Sequence, residues 1–190
     1  MLEESSALTS QLADGPVATS IFGRMLAEIA AAPPALISFE DLTGVSLDNP
    51  QLALPYHFRI HTCRFCMLAK ANPESHQHCV RNKMAANRVA IRRRQAFAGQ
   101  CHLGLTDLVK PLVFQRTVLG VFYYGSFVLA GSEERGRKRI VRFCERHGFE
   151  AGEYLAAFAK APTIAAEDLP TLWRRLDLVA DLAGCIVESI

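Results

Sequence analysis

The sequence predicts an α+β fold, an antiparallel sheet flanked by helices with further helices at both ends. Two patterns carry this expectation. From Gln95 to Leu129 the chain is rich in β-branched and aromatic residues, interrupted at Gln115-Arg116 by a plausible hairpin turn. Before and after that block, apolar residues recur at helical spacing. With 190 residues, 50% of them hydrophobic, the chain suits one well-cored domain with a helical extension rather than two full domains.

In chain order, residues 1–16 are small and polar and read as a frayed or docking terminus. A helix follows from Thr19 to Ala32, with Ile21, Phe22, Met25, Leu26 and Ile29 on one face and Pro33-Pro34 as its stop. A short helix is expected around Ser38 to Leu42. Tyr56, Phe58 and Ile60 alternate, so Leu52 to Ile60 reads as a strand entering the first cysteine pair. Cys63 to Lys70 reads as one or two helical turns. The long helix Glu74 to Arg94 then follows, its closing arginines, Arg92 to Arg94, complementing the C-terminal dipole.

Strands are expected over Gln95 to His102, Leu108 to Phe114 and Val118 to Leu129. Gly120 and Gly125 mark bends or the close approach of another group. Tyr123 and Tyr124 point to opposite faces and both stand as candidate pocket residues. Ser132 starts a helix that His147-Gly148 closes, and Glu150 to Ala159 forms another. In the last helix Leu172, Leu176, Val179, Ala183, Ile186 and Ile190 step by four and three, the seam of a helix that docks on the domain or pairs with a second copy. Cys144 and Cys185 read as packing thiols.

The net charge of +2, with 21% charged residues, demands neither a nucleic-acid nor a membrane partner. There is no eighteen-residue apolar run, and the acidic, polar start lacks the features of a signal peptide. The expected location is therefore the cytoplasm, where clustered cysteines indicate metal or redox chemistry rather than disulfides.

Four cysteines and four histidines lie between His61 and His102: His61-Thr62-Cys63-Arg64-Phe65-Cys66, then His76-Gln77-His78-Cys79, then Cys101-His102. Cys63, Cys66, Cys79 and Cys101 are the candidate metal ligands, for zinc or an iron–sulfur cluster, although the spacing is not that of a standard zinc ribbon. Cys101, His102 and Asp107 also have the residue types of a nucleophile, base and orienter. Neighbours on a strand point to opposite faces, which argues against that dyad and favours Cys63 over His102 as fourth ligand. His76 and His78 are expected to be solvated, and His61 competes with Cys63.

Phe65-Cys66, Cys79, the run from Cys101 through Asp107 into Lys110-Pro111, and Leu119 to Gly125 together resemble the PocR sensory-domain family, PAS-like ligand-sensing modules of bacterial regulators. The resemblance spans about Leu36 to Ile190. It implies a PAS-like sheet that senses small hydrocarbon derivatives such as alcohols and diols and signals to a DNA-binding or other output domain. By motif match it places Cys66, Cys79, Cys101 and His102 in the pocket or metal cluster, with Asp107 as a pocket residue. Cys63 is an addition to the family pattern, and Val45 to Ile60 fits that pattern poorly.

The expected organisation is a tail and helix over residues 1–34, the sensory domain over 35–165 and an amphipathic helix over 166–190. The sequence shows no helix-turn-helix, kinase or cyclase motif, so the chain is read as an excised domain or a sensor acting through a partner. A homodimer is the expected assembly. A small-molecule sensor is the leading function. The alternatives are an iron–sulfur or zinc redox or gas sensor without an organic ligand, a thiol- or metal-dependent enzyme, and, last, a nucleic-acid binder.

Overall fold

The computed structural model describes residues 20–31 and 36–189. The expected tail, the Pro33-Pro34 stop and Ile190 lie outside them. Helix α1 (Ile21–Ala30) is capped by Ser20, whose hydroxyl accepts the Gly23 N–H at 2.8 Å. Phe22 and Leu26 turn its apolar face into the core.

The segment expected as a short helix at Ser38 to Leu42 is instead strand β1 (Leu36–Asp41). Ile37 and Phe39 pair with Tyr124 and Phe122 on one face, and that two-residue alternation outweighs a helical tendency too short to nucleate. A single helical turn, α2 (Val45–Asp48), follows. The strand expected from Leu52 to Ile60 is not formed. Its residues run irregularly through a 3-10 turn at Tyr56–Phe58, with Leu52, Leu54 and Phe58 buried and Tyr56 72% exposed. Pro55, which has no N–H to give a ladder, sits where that strand would need one.

Helices α3 (Arg64–Ala71) and α4 (Pro73–Arg93) meet at Asn72, whose side chain accepts the N–H groups of Glu74 and Ser75. Strands β2 (Phe97–Gln100), β3 (Thr106–Phe114) and β4 (Thr117–Leu129) follow. The β3–β4 turn is Gln115-Arg116, both at positive φ (45° and 72°), as a two-residue hairpin with right-handed strand twist requires. Helices α5 (Glu133–His147) and α6 (Ala151–Phe158), the short β5 (Thr163–Ile164) and helix α7 (Leu169–Glu188) complete the chain.

The sheet order is β1-β4-β3-β2, all antiparallel, and β5 pairs with β4 in parallel. This is a PAS-like α+β architecture. One sheet face, carrying Ile37, Phe39, Leu108, Leu112, Phe122 and Tyr124, packs in one core with residues of α1 and α7. The expected seam of α7 is used there: Leu172, Leu176, Val179 and Ala183 are buried in that core. Val109, Val121 and Tyr123 face the other way, with Ala90 of α4. Beyond them a second core joins Phe65 of α3, Leu103, Leu105, Ile140 of α5 and Phe158 of α6. Helices α1 and α7 thus lie on one side of the sheet, and α3 and α4, which carry Cys66 and Cys79, on the other.

Candidate functional site

At the heart of the site, β4 departs from regular pairing. Thr106 pairs with Phe127 but Asp107 with Gly125, so Ser126 bulges out at φ 63°. The Asp107 carboxylate accepts the freed Ser126 N–H at 2.9 Å. Gly125 is the close approach anticipated from the sequence: a Cβ there would stand 2.2 Å from Asp107 Oδ1. The Ser126 hydroxyl, held by the bulge, contacts Cys66 Sγ at 3.6 Å.

Against this irregular strand lies a cavity of about 210 Å³. Helix α3 contributes Phe65, Cys66, Ala69 and Lys70 to its lining, and α4 contributes His76, Cys79, Val80 and Lys83. His61, Cys101, His102, Leu103, Asp107 and Tyr123 close it from the loops and the sheet. Of the eight expected site residues, the fold brings six to this cavity or its wall: Cys66, Cys79, Cys101, His102, Asp107 and Tyr123. Tyr124 is on the other sheet face, fully buried in the core shared with α1 and α7, because strand neighbours alternate. Cys63 is not among the lining residues. It caps α3, its sulfur accepting the Cys66 N–H at 3.3 Å.

Cys101 and His102 are not on a strand. β2 ends at Gln100, and the two residues sit in a turn where Cys101 N–H bonds Leu105 O and Gly104 N–H bonds Cys101 O. They are therefore not held to opposite faces as strand neighbours are. The dyad is nevertheless not formed, since both His102 ring nitrogens are buried without a hydrogen-bond partner. His102 stacks on His78 (centroids 5.6 Å) beside Phe143, and His78 contacts His147, whose Nδ1 lies 2.6 Å from Glu74 Oε1. His78, expected in solvent, is half-buried in this stack because α5 packs over it.

The electrostatics follow from burial. His102 is lowered to about 4 by desolvation and then by the neighbouring charges of His78, Arg139 and His147, so it is neutral at pH 7. Burial also lowers His61, against the opposing pull of Asp107 at 3.9 Å. Cys101 is pushed up to about 12 and Cys79 upward, both chiefly by burial. Cys63 goes the other way, to about 6, because the Cys66 thiol donates to it, helped against desolvation by the Cys66 N–H, the Ser126 hydroxyl and Lys70. Cys66, the donor of that bond, is raised. Tyr123 is raised by burial; its hydroxyl donates to Asn87 Oδ1 at 2.5 Å, and Lys83 lies 5.2 Å from its ring centre while pairing with Glu40.

Among the described residues, no group of three or more His, Cys, Asp or Glu is placed to hold a metal ion. Cys66, Cys79 and Cys101 share one cavity wall without such an arrangement. The sequence reading did not single out Lys70, Lys83, Asn87 or Ser126. Lys83 and Asn87 lie one turn apart on α4, a weak signal that only the position of Tyr123 makes meaningful. Among the described residues, no helix is long and apolar enough to cross a membrane.

Compared with protein-family models, residues 19–189 match the sensory domain found in PocR. No match was found among curated proteins or among solved structures.

Proposed function

The chain belongs to the family of sensory domains found in PocR, and from that premise we propose that its cavity binds a small, partly polar organic molecule and that binding is relayed to a partner through the terminal helices. The observation that carries the reading is the cavity's composition. Its wall is mainly apolar, yet His61 Nε2 and both His102 nitrogens are buried without partners, and Lys70, Asn82 and Lys83 stand around it. A molecule whose polar atoms meet Lys70, Asn82 and Lys83 while its carbon atoms cover the apolar wall matches that lining. Short alcohols, diols and aldehydes have that mixed character and that size.

Relay is supported by the two-faced strands. Asp107 and Tyr123 face the cavity, while Leu108, Phe122 and Tyr124 face the α1–α7 core. Lys110 of β3 adds an ion pair to Asp177 of α7 at 2.5 Å. A shift of β3 and β4 on ligand binding therefore reaches α7 without an intervening loop. In this reading the protein is a cytoplasmic signalling component without catalytic activity of its own, paired with a second copy or an output domain.

The test is thermal unfolding against a panel of short alcohols, diols and aldehydes. A true ligand at about a hundred times its Kd stabilises by about 2.7 kcal/mol. Val80→Trp, at a half-exposed lining position, should abolish the shift while keeping the unliganded melting temperature. A panel with no stabilising member, or stabilisation unchanged in Val80→Trp, would count against the cavity.

A further inference from the structure

We propose that Cys63 and Cys66 form a thiol–disulfide exchange site that reacts with small-molecule disulfides, Cys63 attacking and Cys66 resolving. The pair occupies the N-cap and third positions of α3, where one helical turn sets both sulfurs on the same side, and the Cys63 sulfur accepts the Cys66 N–H at 3.3 Å. Their surroundings differ in the way such chemistry needs. Cys63 is half-buried between exposed Thr62 and Arg64, so a reactant in solution reaches it. Cys66 lies on the cavity wall against the Ser126 hydroxyl, where a bulky disulfide does not reach it directly. The helix N-terminus and the Cys66 N–H at the Cys63 sulfur favour a negative charge there, and Cys66 sits one turn further in, placed to attack Cys63 once it has reacted.

The chemistry balances. The Cys63 thiolate attacks one sulfur of RSSR; the S–S bond breaks and RS⁻ leaves. Cys66 gives its proton to the departing thiolate and its sulfur attacks Cys63 Sγ, expelling the second RS⁻, which takes up a proton from water. One disulfide is reduced to two thiols, and two protein thiols become one disulfide. The other four cysteines do not share this arrangement: Cys79 and Cys101 line the cavity and Cys144 lies in the core, none with a second cysteine one helical turn away, and Cys185 is exposed without a neighbouring thiol at helical spacing. The proposal stands whether or not the cavity takes an organic ligand. Because Cys66 lines that cavity, oxidation would also alter its wall.

The experiment is exchange of the full, chelator-treated chain with mixtures of oxidised and reduced glutathione, followed by alkylation of remaining thiols and tryptic mass mapping. Cleavage after Arg59, Arg64 and Lys70 separates the two cysteines, so their disulfide is read as the joined peptides 60–64 and 65–70. That joined pair in the native sequence is the expected result and needs no variant. In Cys66→Ser, glutathione should remain on Cys63 at least about tenfold more than on Cys185. A native chain whose main disulfide joins Cys66 to Cys79 or Cys101, one that forms no disulfide, or a Cys66→Ser chain modified equally at Cys63 and Cys185 would each overturn the proposal.

Discussion

Asp107 holds the bulge of β4 by accepting the backbone N–H of Ser126 at 2.9 Å, through the same carboxylate that faces the cavity. The residue is thus both a wall of the site and the reason its neighbouring strand can leave regular pairing. Removing the acceptor leaves a buried N–H unpaired. Asp107→Ala should therefore destabilise by about 1–3 kcal/mol in urea unfolding, with Asp107→Asn recovering much of the loss because its amide oxygen can accept the same N–H. Equal stability of native and Asp107→Ala chains would show that the bond is not needed.

Gly125→Ala should cost more than Asp107→Ala, because its Cβ meets Asp107 Cα at 2.5 Å as well as Oδ1, and a backbone-side clash cannot be relieved by a rotamer change. The check is the urea midpoint of the two variants side by side; the reverse order would mean that β3 and β4 part readily here.

Tyr123→Phe should lower stability by about 1–3 kcal/mol. It leaves the Asn87 side chain without its buried donor, although the ring and its contact with Lys83 remain. A Tyr123→Phe/Asn87→Leu double substitution should be less harmful than the single change, since both polar partners then leave together; a double-mutant cycle with no coupling would contradict this.

Acid should weaken the fold over the range set by His102. Its folded value, about 4, lies below the ordinary 6.5, so between these pH values the unfolded chain binds the proton and the folded one does not. Stability is then full above pH 6.5 and falls as pH drops toward 4. His61, lowered in the same direction, adds to the slope. His102→Phe should flatten that part of a stability–pH curve; an unchanged slope would place the proton uptake elsewhere.

Alkylation of Cys63 should rise with a midpoint near pH 6, where its thiolate forms, whereas an ordinary free thiol responds near pH 8.5. Site-resolved mass spectrometry of brief iodoacetamide labelling measures it, and a Cys63 midpoint near 8.5 would remove the asymmetry between the two cysteines.

Leu176→Ala and Leu178→Ala separate the two faces of α7. Leu176 is 0% exposed in the sheet core and should cost about 2–5 kcal/mol on truncation, while Leu178, 56% exposed, should change stability by less than about 0.5 kcal/mol. Comparable losses would mean that the outer face is covered.

What the sequence determined by itself is local. The long helix α4, the helix closed by Gly148, the amphipathic α7 and the Gln115-Arg116 hairpin are set by apolar spacing, caps and turn chemistry within a few residues, and all were legible. The same holds for Tyr123 and Tyr124 facing opposite ways, a consequence of strand geometry alone. Tertiary structure decided the rest because it depends on partners distant in sequence. Leu36–Asp41 is a strand only because β4 offers it a pairing edge, and Tyr56–Phe58 is a 3-10 turn rather than a strand because its buried neighbours reach the core without a ladder. Which tyrosine meets the cavity, why Cys101-His102 turns instead of continuing β2, and why Cys63 caps a helix while Cys66 lines a wall follow from which faces the helices cover. Burial then set the charge states, lowering His102 and raising Cys101, for the free energy of a charge depends on the whole surrounding volume rather than on the residues beside it in the chain.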